Sequence, residues 1–132
     1  MMVNLIITIF LILASFMDIR TRKVSNWLTL PLLFGALIHY LIMDFTVVGF
    51  LVNLAVYFII NLLVIRGLLG GADAKVFLFF LLMFGLKVFF IYFVVAHYLS
   101  GFYRLFRKCD SSIAFMPIML MAFLIINYGG FL

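Results

Sequence analysis

Residues 46–65 read TVVGFLVNLAVYFIINLLVI, twenty positions without a charged side chain. A helix of that length covers about 30 Å, the thickness of a bilayer's hydrocarbon core. The pattern continues on both sides. Apolar runs lie near 1–17, 27–43, 46–65, 68–86, 88–103 and 112–131, with polar breaks at 18–26, Asp44, Arg66–Gly67, Lys87 and 104–111. As one helix, residues 74–103 would reach about 45 Å, too long for a bilayer without strong tilt. Gly85-Leu86-Lys87 suits a tight turn and divides that stretch in two. The expected fold is all-α: a polytopic membrane bundle of six transmembrane helices, forming a single domain over residues 1–132. The first run has no basic start and ends in Asp18-Ile19-Arg20-Thr21-Arg22 rather than in small residues, so it reads as a retained helix, not a signal peptide.

Composition supports a membrane chain and excludes several function classes. Of 132 residues, 70% are hydrophobic and 10% are charged, with mean hydropathy +1.43, outside the range of soluble domains. The net charge of +5 does not gather into a nucleic-acid patch. Its basic residues sit in short segments between apolar runs, where they set topology. With both termini outside, Arg20, Arg22, Lys23, Arg66, Lys75, Arg104, Arg107 and Lys108 fall on the inner side and only Lys87 on the outer. Cys109 is the sole cysteine, so no internal disulfide and no cysteine zinc site is expected. Metal ions and cofactors are not expected either.

The chain has no Glu, so Asp18, Asp44, Asp73 and Asp110 are its whole acidic inventory. An ionisable side chain at membrane depth is costly and marks function by default. Asp18 closes the first run, at or slightly below the inner interface. Asp73 lies in Leu69-Gly70-Gly71-Ala72-Asp73-Ala74-Lys75, about 14 residues or roughly 20 Å of helix from the turn at Lys87. That leaves it about 10 Å inside a 30 Å core. Gly70-Gly71 offers unusual backbone and close helix approach. Two carboxylates able to share one proton form an acid–base pair that can hydrolyse a peptide bond. The blander readings make Asp73 a helix N-cap and Asp18 a loop residue paired with Arg20 or Arg22. Asp44 and Asp110 read as solvated loop charges.

Other polar residues have simpler readings. Lys75 either holds an Asp ionised or snorkels to the interface, and snorkelling is preferred. His39 and His97 read as hydrogen-bonded packing residues. Asn53 and Asn61 share a helix face and read as hydrogen-bond glue between helices. Trp27 reads as an interface anchor and the eighteen Phe as lipid-facing bulk and packing.

Asp18-Ile-Arg-Thr-Arg-Lys-Val-Ser-Asn26-Trp-Leu-Thr-Leu-Pro31 resembles the first motif of type IV prepilin peptidases and archaeal preflagellin peptidases. Gly70-Gly71-Ala72-Asp73-Ala74-Lys75 resembles the Gly-x-Gly-Asp motif of the same membrane aspartyl proteases, with Ala72 where Gly is usual. Ile113-Ala-Phe-Met-Pro117-Ile resembles a Pro-containing motif of a late helix. The resemblance implies that Asp18 and Asp73 are the catalytic pair, with Asn26, Gly70, Gly71, Ala72, Lys75 and Pro117 as supporting motif residues. It also implies a prepilin-like substrate, cut between a basic leader and a hydrophobic helix at the cytoplasmic face of the cell membrane. The partners expected are such precursors and the lipid bilayer. Larger relatives carry a cysteine-rich insert and an N-methylating activity, and neither is expected here. Without substrate, Asp18 and Asp73 are expected to stand too far apart for one water to bridge both. Two other function classes fit a small helical membrane protein. One is a transporter or proton channel using Asp73 and His97; the other is a non-catalytic pilus or secretion assembly subunit.

Overall fold

The computed structural model describes residues 2–21, 23–107 and 114–130. Arg22, Lys108, Cys109, Asp110 and Ile113 lie outside the described residues. The described chain is helical, without strands. It runs α1 (Met2–Thr21), α2 (Asn26–His39), a π-helical turn (Tyr40–Asp44), α3 (Val47–Ile65), α4 (Gly71–Arg107) and α5 (Met116–Tyr128). Among the described residues, four stretches are long and apolar enough to cross a membrane: Asn4–Thr21, Asn26–Asp44, Val47–Ile65 and Gly71–Leu105. The first three have 18 or 19 residues, about 28 Å of helix. Only 6% of Val47–Ile65 is buried inside the protein. A helix apolar all round with so little internal burial needs lipid for its surface. The chain is therefore a multi-pass membrane protein.

α4 is 37 residues long, but Gly85 breaks it with φ 78° and ψ 176°. Only Gly adopts that positive φ without strain. The rings of Phe77 and Phe89 meet edge to face at 6.3 Å. Twelve residues of straight helix would hold them about 18 Å apart, so the chain reverses at Gly85. The turn lies where the sequence placed it, although the limbs differ at their ends. The first starts at Gly71, not 68, and the second continues to Arg107, not 103. The late start follows from how α3 ends. Gly67 (φ 71°) donates to Val64 O at 2.9 Å, and Leu68 donates to Leu63 O at 2.9 Å. These paired bonds form a Schellman stop.

The chain divides into two compact units, residues 1–24 with 90–132 and residues 25–89. In the first, α1 packs along α5. Ile7, Leu11 and Ala14 are fully buried at helical spacing on α1, as are Met119, Ala122, Phe123 and Ile126 on α5. Asn4 Nδ2 donates to Asn127 Oδ1 at 2.8 Å near one end of this pair. In the second unit, Val76, Phe77, Phe80 and Leu81 of α4, Thr29 and Ala36 of α2, Tyr40 of the π-helical turn and Ile60 of α3 are buried.

Candidate active site

Asp18 is not the start of a loop. α1 continues through Thr21, so Asp18 sits in the last helical turns. The Thr21 hydroxyl lies 2.9 Å from the carbonyls of both Met17 and Lys23, closing the helix end. Helical spacing also places Asp18 and Arg20, two residues apart, on different faces, which removes that local partner. The Asp18 carboxylate instead takes a backbone donor 98 residues away: Met116 N–H donates to Asp18 Oδ2 at 3.1 Å. Met116 is the first residue of α5, is fully buried, and its helix has no side-chain cap of its own. Helix starts leave N–H groups unpaired and carry partial positive charge. A half-buried carboxylate from α1 supplies what α5 lacks. Pro117 follows with no N–H, so the next position of the turn needs no acceptor.

This contact predicts different effects for two substitutions of Asp18. Asn keeps an oxygen able to accept the Met116 N–H, whereas Ala does not. Asp18→Ala is expected to lower stability by about 1 kcal/mol, the usual worth of a helix cap, and Asp18→Asn by clearly less. Equilibrium unfolding of the two variants in mixed micelles checks this. Equal losses would contradict the capping geometry.

Asp73 lies in the first turn of α4 and is half-buried. Ala74 N–H donates to Gly70 O at 2.9 Å, which makes Gly70 the N-cap and Asp73 the third residue of the helix. The N-cap reading of Asp73 is thus displaced by three positions. Gly70 and Gly71 do not have the unusual backbone expected of them; the positive-φ glycines are Gly67, Gly85 and Gly130. What Gly70 provides is room. A Cβ built there would stand 2.6 Å from Asp73 Oδ2, because the carboxylate folds back over residue 70. A Cβ at Gly71 would meet nothing within 4 Å.

Lys75 Nζ donates to the Asn26 side-chain oxygen, tying the N-terminal part of α4 to the first turn of α2 within one unit. Snorkelling alone does not describe this lysine. α2 has its own cap, Ser25, whose hydroxyl accepts from Trp27 N at 3.3 Å. Thus two motif residues, Asn26 and Lys75, are joined directly, while Asp18 belongs to the other unit with Pro117. Among the described residues no group of three His, Cys or Asp side chains is placed to hold a metal ion.

The remaining polar residues sort by contact. His97 Nδ1 lies 2.8 Å from Phe93 O of its own helix, and its ring packs on Phe93 and Phe115 at 4.1 and 5.7 Å. His39 stands 3.9 Å from Asp44, and both are exposed. Asn61 does not bridge helices: its Nδ2 donates to Tyr57 O at 2.7 Å one turn back. Asn53 lines a cavity with Leu37, Tyr40 and Leu81.

Comparison with known proteins decides the family. The model of the type IV leader peptidase family matches residues 5–105. The chain belongs to that family. The match takes in Asp18, Asn26 and the whole Gly70–Lys75 motif, and stops short of Pro117. Neither the curated proteins nor the solved structures give a match. Membership of the leader peptidase family implies a peptidase, and the apolar helices make it a membrane one. The residue that sequence reading missed is Met116. Its contribution is a backbone N–H, which no side-chain pattern announces.

Proposed function

We propose that this leader peptidase is an aspartyl endopeptidase that removes the basic leader from type IV prepilin-like precursors at the cytoplasmic face of the cell membrane. The observation that carries the reading is the family match, which contains both motif aspartates. Asp18 and Asp73 are the acid–base pair. One carboxylate takes a proton from the attacking water, and the other, protonated, donates to the scissile carbonyl oxygen. Entry of the leader completes the site, as closure does in other enzymes. Neither metal nor methyl donor takes part.

The topology proposed with this function has six spans. The limbs of α4 on either side of Gly85 each cross the membrane, as does α5 with its flanking residues. Residues 71–84 make only about 21 Å of helix, which leaves Asp73 below the surface of a 30 Å core. The eight-to-one division of Lys and Arg puts both termini outside and Cys109 in the cytoplasm. A membrane-impermeant thiol reagent is therefore expected to leave Cys109 unlabelled in intact cells and to label it in inverted vesicles. Labelling in intact cells would overturn the orientation.

The function is tested by incubating purified protein with a precursor bearing a basic leader before a hydrophobic helix. Cleavage at that junction, lost in Asp18→Asn and Asp73→Asn, supports the reading. An intact precursor after long incubation with folded wild type overturns it.

A further inference from the structure

Tyr92 is a fully buried residue that the acid–base pair does not use. It lies on the second limb of α4, and its hydroxyl donates to Met119 O at 3.0 Å. Met119 is one turn along α5 from Met116, whose N–H holds Asp18 Oδ2. Residues three apart on a helix share a face. Met119 N–H donates to Phe115 O at 3.0 Å, which closes the first turn of α5. Tyr92 and Asp18 therefore hold opposite ends of the same helical turn: the tyrosine takes a carbonyl and the carboxylate takes an N–H. All four residues belong to one compact unit. A ring alone would pack as Phe does. A buried hydroxyl needs a partner, and this one takes it from the turn on which Asp18 depends. Pro117 sharpens the arrangement, because without its N–H the turn offers the carboxylate one donor fewer.

We propose that Tyr92 is a positioning residue: through the first turn of α5 it fixes the direction of the Asp18 carboxylate. One oxygen is held by Met116 N–H, which turns the other toward the water to be activated. The proposal rests on Asp18 being catalytic. If the turn loses its carbonyl anchor it rotates, and the carboxylate rotates with it. A displacement of 1 Å at a catalytic group costs on the order of 10²-fold in rate.

The test is Tyr92→Phe, which keeps the ring and removes the hydroxyl. The chain has four Asp and no Glu, so labelling with aspartate carrying ¹³C at its side-chain carboxyl gives four carboxyl signals. The Asp18 signal is the one lost in Asp18→Asn. In Tyr92→Phe the Asp18 signal is expected to move, the Met116 amide to exchange with solvent about 10-fold faster, and kcat on the leader precursor to fall about 10-fold with KM unchanged. A Tyr92→Phe protein that unfolds more readily but keeps the Asp18 signal and kcat of wild type would make Tyr92 a packing residue only and overturn the proposal. If wild type cleaves no precursor, the peptidase reading fails. The carbon signal then decides whether Tyr92 orients Asp18: movement supports it and constancy overturns it. Should Tyr92→Phe not fold, fluorotyrosine placed at 92 changes donor strength while keeping the ring, and the same signal must move.

Discussion

Asp73→Asn and Asp18→Asn are each expected to insert and fold like wild type while cleaving a leader precursor about 10²–10⁴-fold more slowly, the range that a positioned acid or base contributes. Asn has the volume of Asp and keeps one acceptor oxygen, but it neither takes nor gives the proton. At position 18 the retained oxygen still accepts from Met116 N–H, so stability and activity separate in this variant. At position 73 the amide still fits over Gly70, where no side chain competes for the space. Asp44→Asn and Asp110→Asn are the controls, expected to keep activity. Asp44 is an exposed partner of His39 at 3.9 Å, and Asp110 lies outside the described residues. Initial rates in detergent micelles, with unfolding curves for every variant, measure this. Near-wild-type turnover in either Asp18→Asn or Asp73→Asn would remove that residue from the catalytic pair.

Gly70→Ala is expected to be the most damaging substitution that replaces no ionisable group. The added methyl would stand 2.6 Å from Asp73 Oδ2 and 3.4 Å from its Cγ. The obstacle is the end of a side chain, not backbone, so the carboxylate yields and the fold does not. Stability is therefore expected to change little. Activity is expected to fall on the order of 10²-fold, the cost of moving a catalytic group by about 1 Å. Gly71→Ala is the matched comparison: its methyl meets nothing within 4 Å, and Ala is the better helix former. Rates and unfolding midpoints of the two variants measured side by side decide the matter. Equal activity in Gly70→Ala and Gly71→Ala would show that the Asp73 carboxylate need not lie where the structure places it.

Local chemistry was legible in the sequence, and tertiary chemistry was not. The run at 46–65 became α3, Val47–Ile65, because twenty uncharged positions at bilayer length permit little else in lipid. The turn after Phe84 was legible because Gly85 interrupts an apolar stretch too long to cross once. The extent of α1 was misread: Arg20 and Thr21 are polar, yet they complete the helix, since a helix end at an interface tolerates polar side chains that a central turn does not. Gly70 was read as offering unusual backbone and close helix approach; its backbone is ordinary, and the room it leaves is taken by the Asp73 carboxylate, a distinction that needs coordinates. Asn61 looked like a bridge between helices, but its amide has an acceptor one turn back in its own helix. The cap on α5 left no trace in the sequence, because its donor is main chain and its acceptor lies 98 positions earlier.

The central claim is that this member of the leader peptidase family cleaves a precursor between a basic leader and a hydrophobic helix. Intact-mass analysis of the reaction products tests it most directly. Purified wild-type protein in liposomes is predicted to yield two fragments whose masses sum to the precursor plus one water, with the cut at the leader–helix junction and neither fragment carrying an added methyl. An intact precursor, or cleavage that persists unchanged when both Asp18 and Asp73 are Asn, would contradict the account.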